Sequence, residues 1–146
     1  MTAFAIRIAT SAKDIAACFP VLSELRPHLA ADSFVATIQH LMQTTQFALA
    51  CLDDDGIKAV AGYRVSEWLY AGKYLEIEDL VTTSAARSKG YGGALFDWLT
   101  REAVRVGCRQ VRLVSGVKRA DAHRFYLRKG MMIEAHYFSM SLQNRD

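Results

Sequence analysis

The stretch that most limits the fold is "LEIEDLVTTSAARSKGYGGALFDWLTREAVRVG", residues 75 to 107. Its first part belongs to "KYLEIEDLVTT", which reads as a strand. Leu95, Trp98, Leu99, Ala103 and Val106 then recur on one face of an amphipathic helix that Gly107 is placed to stop. Between strand and helix stand Arg87, Gly90, Gly92 and Gly93. Glycines let backbone N–H groups approach a ligand closely, and a helix N-terminus adds a dipole that favours negative charge. The unit is therefore an anion cradle in outline. Because "RQVRLVSG" follows as another strand, the strand–helix–strand unit is expected to be a right-handed parallel crossover.

The rest of the chain fits around that unit. "FAIRIA" alternates as a short strand. "TSAKDIAACFPVLSEL" reads as a helix with a capping-box-like start, Ser11 followed by Asp14. Pro20 lies inside the pattern and is expected to kink or split it. "LRPHLAADS" breaks the helix, and Asp32 or Ser33 is placed to cap a second one, "FVATIQHLMQ". "QFALACL" and "IKAVAGYRVSEWL" flank "DDDG", a strong hairpin signal. "RADAHRFYLRKG" is a short helix stopped by Gly130, and "MMIEAHYFSMSL" is expected to close the chain as a strand or two. The order β-α-α-β-β-β-α-β-α-β implies a mixed α/β (α+β) layered fold.

With 146 residues the chain is expected to be a single domain, 1–146, with a real core. A formal net charge of +3 is too weak to argue for nucleic acid. Cys18, Cys51 and Cys108 are widely spaced with no C-x-x-C, so they read as reduced, mostly buried thiols. Arg7, Lys13 and Asp14 interrupt the apolar N-terminal stretch, and no apolar run reaches the ~20 residues of a membrane span. A cytoplasmic protein without membrane or nucleic-acid partners is the expectation. The four histidines show no metal-ligand spacing, so no metal is expected.

Two nucleotide patterns fail on the glycine loop. There is no G-x-x-x-x-G-K-[ST], and in G-x-G-x-x-G the third glycine position is Leu95. What remains, R-x-x-G-x-G entered from "LEIEDLV", resembles motif A of the GNAT superfamily of acyl-CoA N-acyltransferases. Some 30 residues on, "ADAHRFYLRKGM" is similar to the family's second signature, with Ala122, Phe125, Tyr126, Gly130 and Met131 in register. "LRPHL", "ARSKGYGGAL" and "SGVKRADAHRFY" together resemble a bacterial subgroup. The order of elements agrees along nearly the whole chain. One departure stands out: Arg119 occupies a position where many members carry Asn.

The resemblance implies a mostly antiparallel central sheet flanked by helices, with acetyl-CoA as co-substrate and a small-molecule or peptide amine as acceptor. It implies that the backbone from Arg87 through Ser88, Lys89, Gly90, Tyr91 and Gly92 to Gly93 binds the diphosphate. It places the pantetheine arm along Leu80, Val81 and Thr82, with an amide near Leu80 as oxyanion donor. Lys118, Arg119, Arg124 and Arg128 become candidates for the 3′-phosphate, and His123 for the cofactor cleft. Tyr126 becomes the candidate acid. From the residues themselves, Glu78 and Asp79 are base candidates on an otherwise apolar strand, with Glu76 widening the acidic patch as an amine binder. Alternation points neighbours to opposite faces, so only one of the pair faces substrate unless a bulge redirects them. Arg26 and His28, in the helix–helix segment where the family forms its acceptor wall, are acceptor candidates; for the cofactor or substrate cleft His136 ranks below His123. A homodimer is the family's habit, and "AHYFSMSL" is a candidate edge strand for it. A non-catalytic acyl-CoA-binding module would keep the cradle without Tyr126 and the Glu78/Asp79 pair.

Overall fold

The computed structural model describes residues 3–143. Contacts within the chain define two compact units, Met1–Leu113 and Val114–Asp146, taken here in turn.

The first unit is a five-stranded sheet in the order β1-β2-β3-β4-β5. β1 (Ala5–Ile8), β2 (Ala48–Asp53), β3 (Ile57–Trp68) and β4 (Gly72–Thr82) pair antiparallel in sequence order, and β5 (Gln110–Leu113) joins β4 in parallel. Strand alternation splits the core into two layers. Leu49, Cys51 and Val60 pack with Ile15, Cys18, Leu22, Phe34 and Ile38 of α1 (Ala12–Leu25) and α2 (Ala31–Thr45). Against the opposite face lies α3 (Tyr91–Arg105), which buries Leu95, Phe96, Leu99 and Ala103, while its Trp98 meets Tyr63 edge-on at 6.4 Å. α3 lies between β4 and β5 in sequence, so the expected parallel crossover is present.

Local chemistry explains most boundaries. The Ser11 hydroxyl accepts the Asp14 amide at 3.1 Å and caps α1. Asp55 and Gly56 take positive φ, 54° and 111°, as the hairpin requires. Three expectations need correction. α1 is not split at Pro20: Pro20 and Ala16 both sit on its exposed face, where the carbonyl left without a partner can meet water. α2 begins at Ala31 with no side-chain cap, so Asp32 and Ser33 lie in its first turn instead of capping it. The segment 131–142 forms no strand. Ile133, Tyr137, Phe138 and Met140 there are 72–87% exposed, and an apolar pattern without a ladder partner does not make a strand.

The second unit is built on α4 (Ala120–Arg128), which ends at Gly130 with φ 94°. The Met131 amide turns back to the Tyr126 carbonyl at 3.1 Å, closing the helix end. Among the described residues no helix is long and apolar enough to cross a membrane.

Candidate active site

The cradle forms where β4 runs out. Thr83 donates from its amide to the Lys58 carbonyl at 2.8 Å, and residues Ser84–Ala86 make one 3-10 turn. Glu24, in the last turn of α1, accepts from the Thr83 hydroxyl at 2.8 Å and the Ser84 amide at 2.9 Å. Those bonds hold its carboxyl below the usual range and pin the turn to the helix. Ser88 and Gly90 then take positive φ, 68° and 84°, and swing the chain into α3. The first helical bond runs from the Ala94 amide to the Gly90 carbonyl at 3.0 Å. The amides of Tyr91, Gly92 and Gly93 precede it and have no intrahelical acceptor, and no side chain caps them. A Cβ on Gly92 would sit 3.1 Å from the Thr82 hydroxyl, so the helix mouth approaches the strand as closely as a bare backbone allows. The Tyr91 phenol is turned aside, donating to Asp54 at 2.6 Å. Arg87 and Lys89 are exposed on the loop.

β4 itself is one-sided here. Its parallel pairing with β5 ends at Ile77–Leu113, whereas its pairing with β3 continues through Leu80–Ala61, Val81–Val60 and Thr82–Ala59. From Glu78 to Thr82 the second edge has no ladder partner among the described residues. The register also slips: Gly62 opposes Asp79 and Tyr63 opposes Ile77, leaving Glu78 as an extra residue. This bulge places both carboxylates on the α1/α2 face. Asp79 lies over Gly62, where an added Cβ would come within 2.8 Å of both its carboxylate and the Phe47 ring. Glu78 reaches Arg64, whose guanidinium lies 5.8 Å from the centre of that ring.

Each carboxylate of the strand has an arginine partner. Glu76 accepts from Arg112 Nε at 2.7 Å, and the Arg112 guanidinium stacks on Tyr74 and Trp68 at 3.8 and 4.3 Å. Glu78 Oε2 lies 2.9 Å from Arg64 Nε. Asp79 Oδ1 accepts from Arg26 Nε at 2.8 Å, and Arg26 Nη2 donates to the Glu78 carbonyl at 3.0 Å. Arg26, an acceptor candidate by sequence, thus holds the strand; His28 is exposed in the loop after α1. Burial pushes the Glu78 carboxyl above the usual carboxylate range, Asp79 and Glu76 push the same way, and Arg64 opposes them. Beside Glu78 is a cavity of about 430 Å³, walled by Thr44, Thr45 and Gln46 at the end of α2 and by Ser66, Tyr74 and Glu76 of the sheet.

In the second unit Tyr126 is half-buried, and burial raises its phenol above the ordinary value against the opposing charge of Arg119. Phe125 meets its ring edge-on at 5.5 Å. His123 Nε2 lies 2.8 Å from the Gly116 carbonyl, so that ring braces the loop before α4. Arg124 pairs with Asp121, while Lys118, Arg119 and Arg128 are exposed. His136 is exposed too. The Ser115 hydroxyl is buried without a hydrogen-bond partner. No group of three or more His, Cys, Asp or Glu among the described residues is placed to hold a metal.

Sequence reasoning missed Arg64, Arg112, Glu24 and Gly62. Arginines at strand positions and a strand glycine carry no signal of their own. The register slip gives Arg64 and Gly62 their task, strand pairing sets Arg112 beside Glu76, and the end of α1 brings Glu24 to the loop, none of it visible in sequence.

The family model described as "Acetyltransferase (GNAT) family" matches residues 12–131. An uncharacterized N-acetyltransferase of Bacillus subtilis (strain 168), YhdJ, is 37% identical over 131 residues, which are 88% of this chain and 92% of that protein. An aminoalkylphosphonate N-acetyltransferase of Salmonella typhimurium is 28% identical over 125 residues, 86% of this chain and 80% of that protein. Among solved structures, aminoglycoside N-acetyltransferase AAC(6')-Iy in complex with CoA superposes with a TM-score of 0.85 at 14% identity, covering 98% of this chain and 97% of that one.

Proposed function

The chain belongs to the GNAT acetyltransferase family, and from that premise we propose that it transfers an acetyl group from acetyl-CoA to a polar primary amine by direct attack in a ternary complex. The observation that carries this reading is the adjacency of three open helix-mouth amides and a one-sided strand whose bulge presents a half-buried carboxylate. Bound acetyl-CoA would supply the activated acyl carbon and a thiolate leaving group. The amides of Tyr91, Gly92 and Gly93 suit its diphosphate, with Arg87 and Lys89 adding charge. The residues present fit the group, because glycine at 92 leaves the amides uncovered. The open edge from Glu78 to Thr82 suits the amide groups of the pantetheine arm, and a strand amide near Leu80 is the oxyanion donor.

A lysine-like amine, with pKa near ~10.4, is almost wholly protonated at neutral pH. Glu78 takes that proton, directly or through one water. Its raised pKa brings it closer to the working pH of a base; it pairs with Arg64, while Asp79 is held by Arg26. Glu76 and the polar wall of the cavity receive the rest of the acceptor. One relative, 28% identical, is named an aminoalkylphosphonate N-acetyltransferase, and the polar amine in that name agrees with a polar acceptor here. Tyr126, protonated at neutral pH, is the residue that the resemblance to the family's second signature assigns as donor to the departing thiolate. Lys118, Arg119 and Arg128 are the candidates for the 3′-phosphate.

Thiol release from acetyl-CoA across polyamines, amino acids, aminoglycosides, aminoalkylphosphonates and lysine peptides tests the reading. Turnover with at least one amine is expected. Binding of acetyl-CoA with no thiol release from any of them would leave a non-catalytic acyl-CoA-binding module. Tyr126→Phe is expected to lower kcat by about tenfold or more while the affinity for acetyl-CoA stays nearly constant. An unchanged kcat would remove the phenol from the mechanism.

A further inference from the structure

We propose that Arg26 is a positioning residue of the transfer site, holding the β4 bulge in the shape that aims Glu78. This rests on the reading of Glu78 as the base. A bulge leaves its extra residue outside the ladder, so the backbone there needs a partner from elsewhere. Arg26 supplies it. One edge of its guanidinium makes two bonds, Nε to Asp79 Oδ1 at 2.8 Å and Nη2 to the Glu78 carbonyl at 3.0 Å. Both residues of the bulge are thereby tied to one rigid plane.

The plane is itself anchored. Arg26 is the C-cap residue of α1, its amide bonded to the Leu22 carbonyl at 3.0 Å, and Leu22 is buried in the core. The same helical turn carries Glu24, which holds the start of the cradle loop. The last turn of α1 thus grips the strand segment at both ends, at the bulge and at Thr83–Ser84. Asp79 needs this partner, since its side chain is only 15% exposed and lies against Gly62 and the Phe47 ring. Without Arg26 that carboxylate would be an uncompensated charge beside Glu78. Lysine cannot reproduce the clamp, because an ammonium is a point charge and lacks the planar fork.

The charged groups facing Glu78 are Arg64 from β3, Asp79 and Glu76 from β4, and Arg26 from α1. Removing Arg26 takes away a cation and exposes the Asp79 charge. Both changes favour the protonated form of Glu78, so the acid limb of the pH–rate profile moves to higher pH.

The test compares wild type with Arg26→Met, Arg26→Lys, Asp79→Asn and the Arg26→Met/Asp79→Asn double variant. For Arg26→Met, kcat is expected to fall roughly 10- to 100-fold, with acetyl-CoA affinity by calorimetry within about twofold of wild type. Arg26→Lys is expected to recover only part of that loss. The double variant is expected to recover part of the pH shift, since the uncompensated carboxylate is gone. A ¹³C NMR titration of the Glu78 carboxyl reads the same shift without turnover, so it stands even if no acceptor is found. Should Arg26→Met fail to fold, Arg26→Lys and Asp79→Asn carry the comparison. A raised amine KM at unchanged kcat would make Arg26 an acceptor contact. An unmoved Glu78 titration would overturn the proposal. Absence of acetyl-CoA binding by the wild type would sink the transferase reading, while the Glu78 titration would still decide the role of Arg26.

Discussion

Glu78→Gln is expected to lower kcat by about 10²- to 10⁴-fold, the range for loss of a general base, while acetyl-CoA still binds. The substitution keeps the shape and removes the proton acceptor. In the wild type, activity should rise as pH climbs through the Glu78 pKa, which burial sets above the usual carboxylate range. In the variant that limb disappears, and the rate follows the ionisation of the free amine, at higher pH. Stability should move the other way. The folded pKa of Glu78 is raised, so its contribution to stability is present below the ordinary carboxylate pKa and lost as pH rises through the raised value. Glutamine is neutral throughout, so the Tm of the variant at neutral pH should be no lower than that of wild type. A kcat and pH profile identical to wild type would reduce Glu78 to an electrostatic attractor of the amine.

Gly92→Val addresses the donor side. A Cβ at this position meets the Thr82 hydroxyl at 3.1 Å, and the two methyl groups beyond it would cover amides that have no other partner. The affinity for acetyl-CoA is expected to fall by about 100-fold, equivalent to about 2.7 kcal/mol. Valine has the better helix propensity, but the Thr82 hydroxyl must give way to the added Cβ, and the two effects oppose each other. A large loss of affinity with a Tm constant or only slightly lower is therefore the signature. Calorimetry and a thermal melt on the same sample check both halves. Equal affinity in the variant would mean that the diphosphate is not seated at these amides.

The cradle was legible from sequence because its elements are punctuated by residues with distinct backbone chemistry. Gly90, Gly107 and Gly130 mark helix ends by positive φ, and Asp55-Gly56 marks the hairpin. The two helix faces and the alternating strands followed from periodicity. The bulge was less accessible. A one-residue slip between Gly62 and Tyr63 reverses the facing of everything after it, and no local pattern at Glu78 announces it. For the same reason Arg26 read as an acceptor contact: its loop position was visible, but the Asp79 carboxylate 53 positions away was not. The segment 131–142 shows the converse limit, since its composition suits a strand and no strand ladder forms there among the described residues. Cavity walls at Thr44–Gln46 depend on where α2 ends, which the sequence put two residues early, at Gln43.

The most direct test of the central claim is a calorimetric titration of the wild-type chain with acetyl-CoA, CoA and ATP in parallel. One site of micromolar affinity for acetyl-CoA and for CoA is expected, with no comparable binding of ATP. ATP binding as tightly as CoA, or no heat from acetyl-CoA at concentrations a hundredfold higher, would contradict the account.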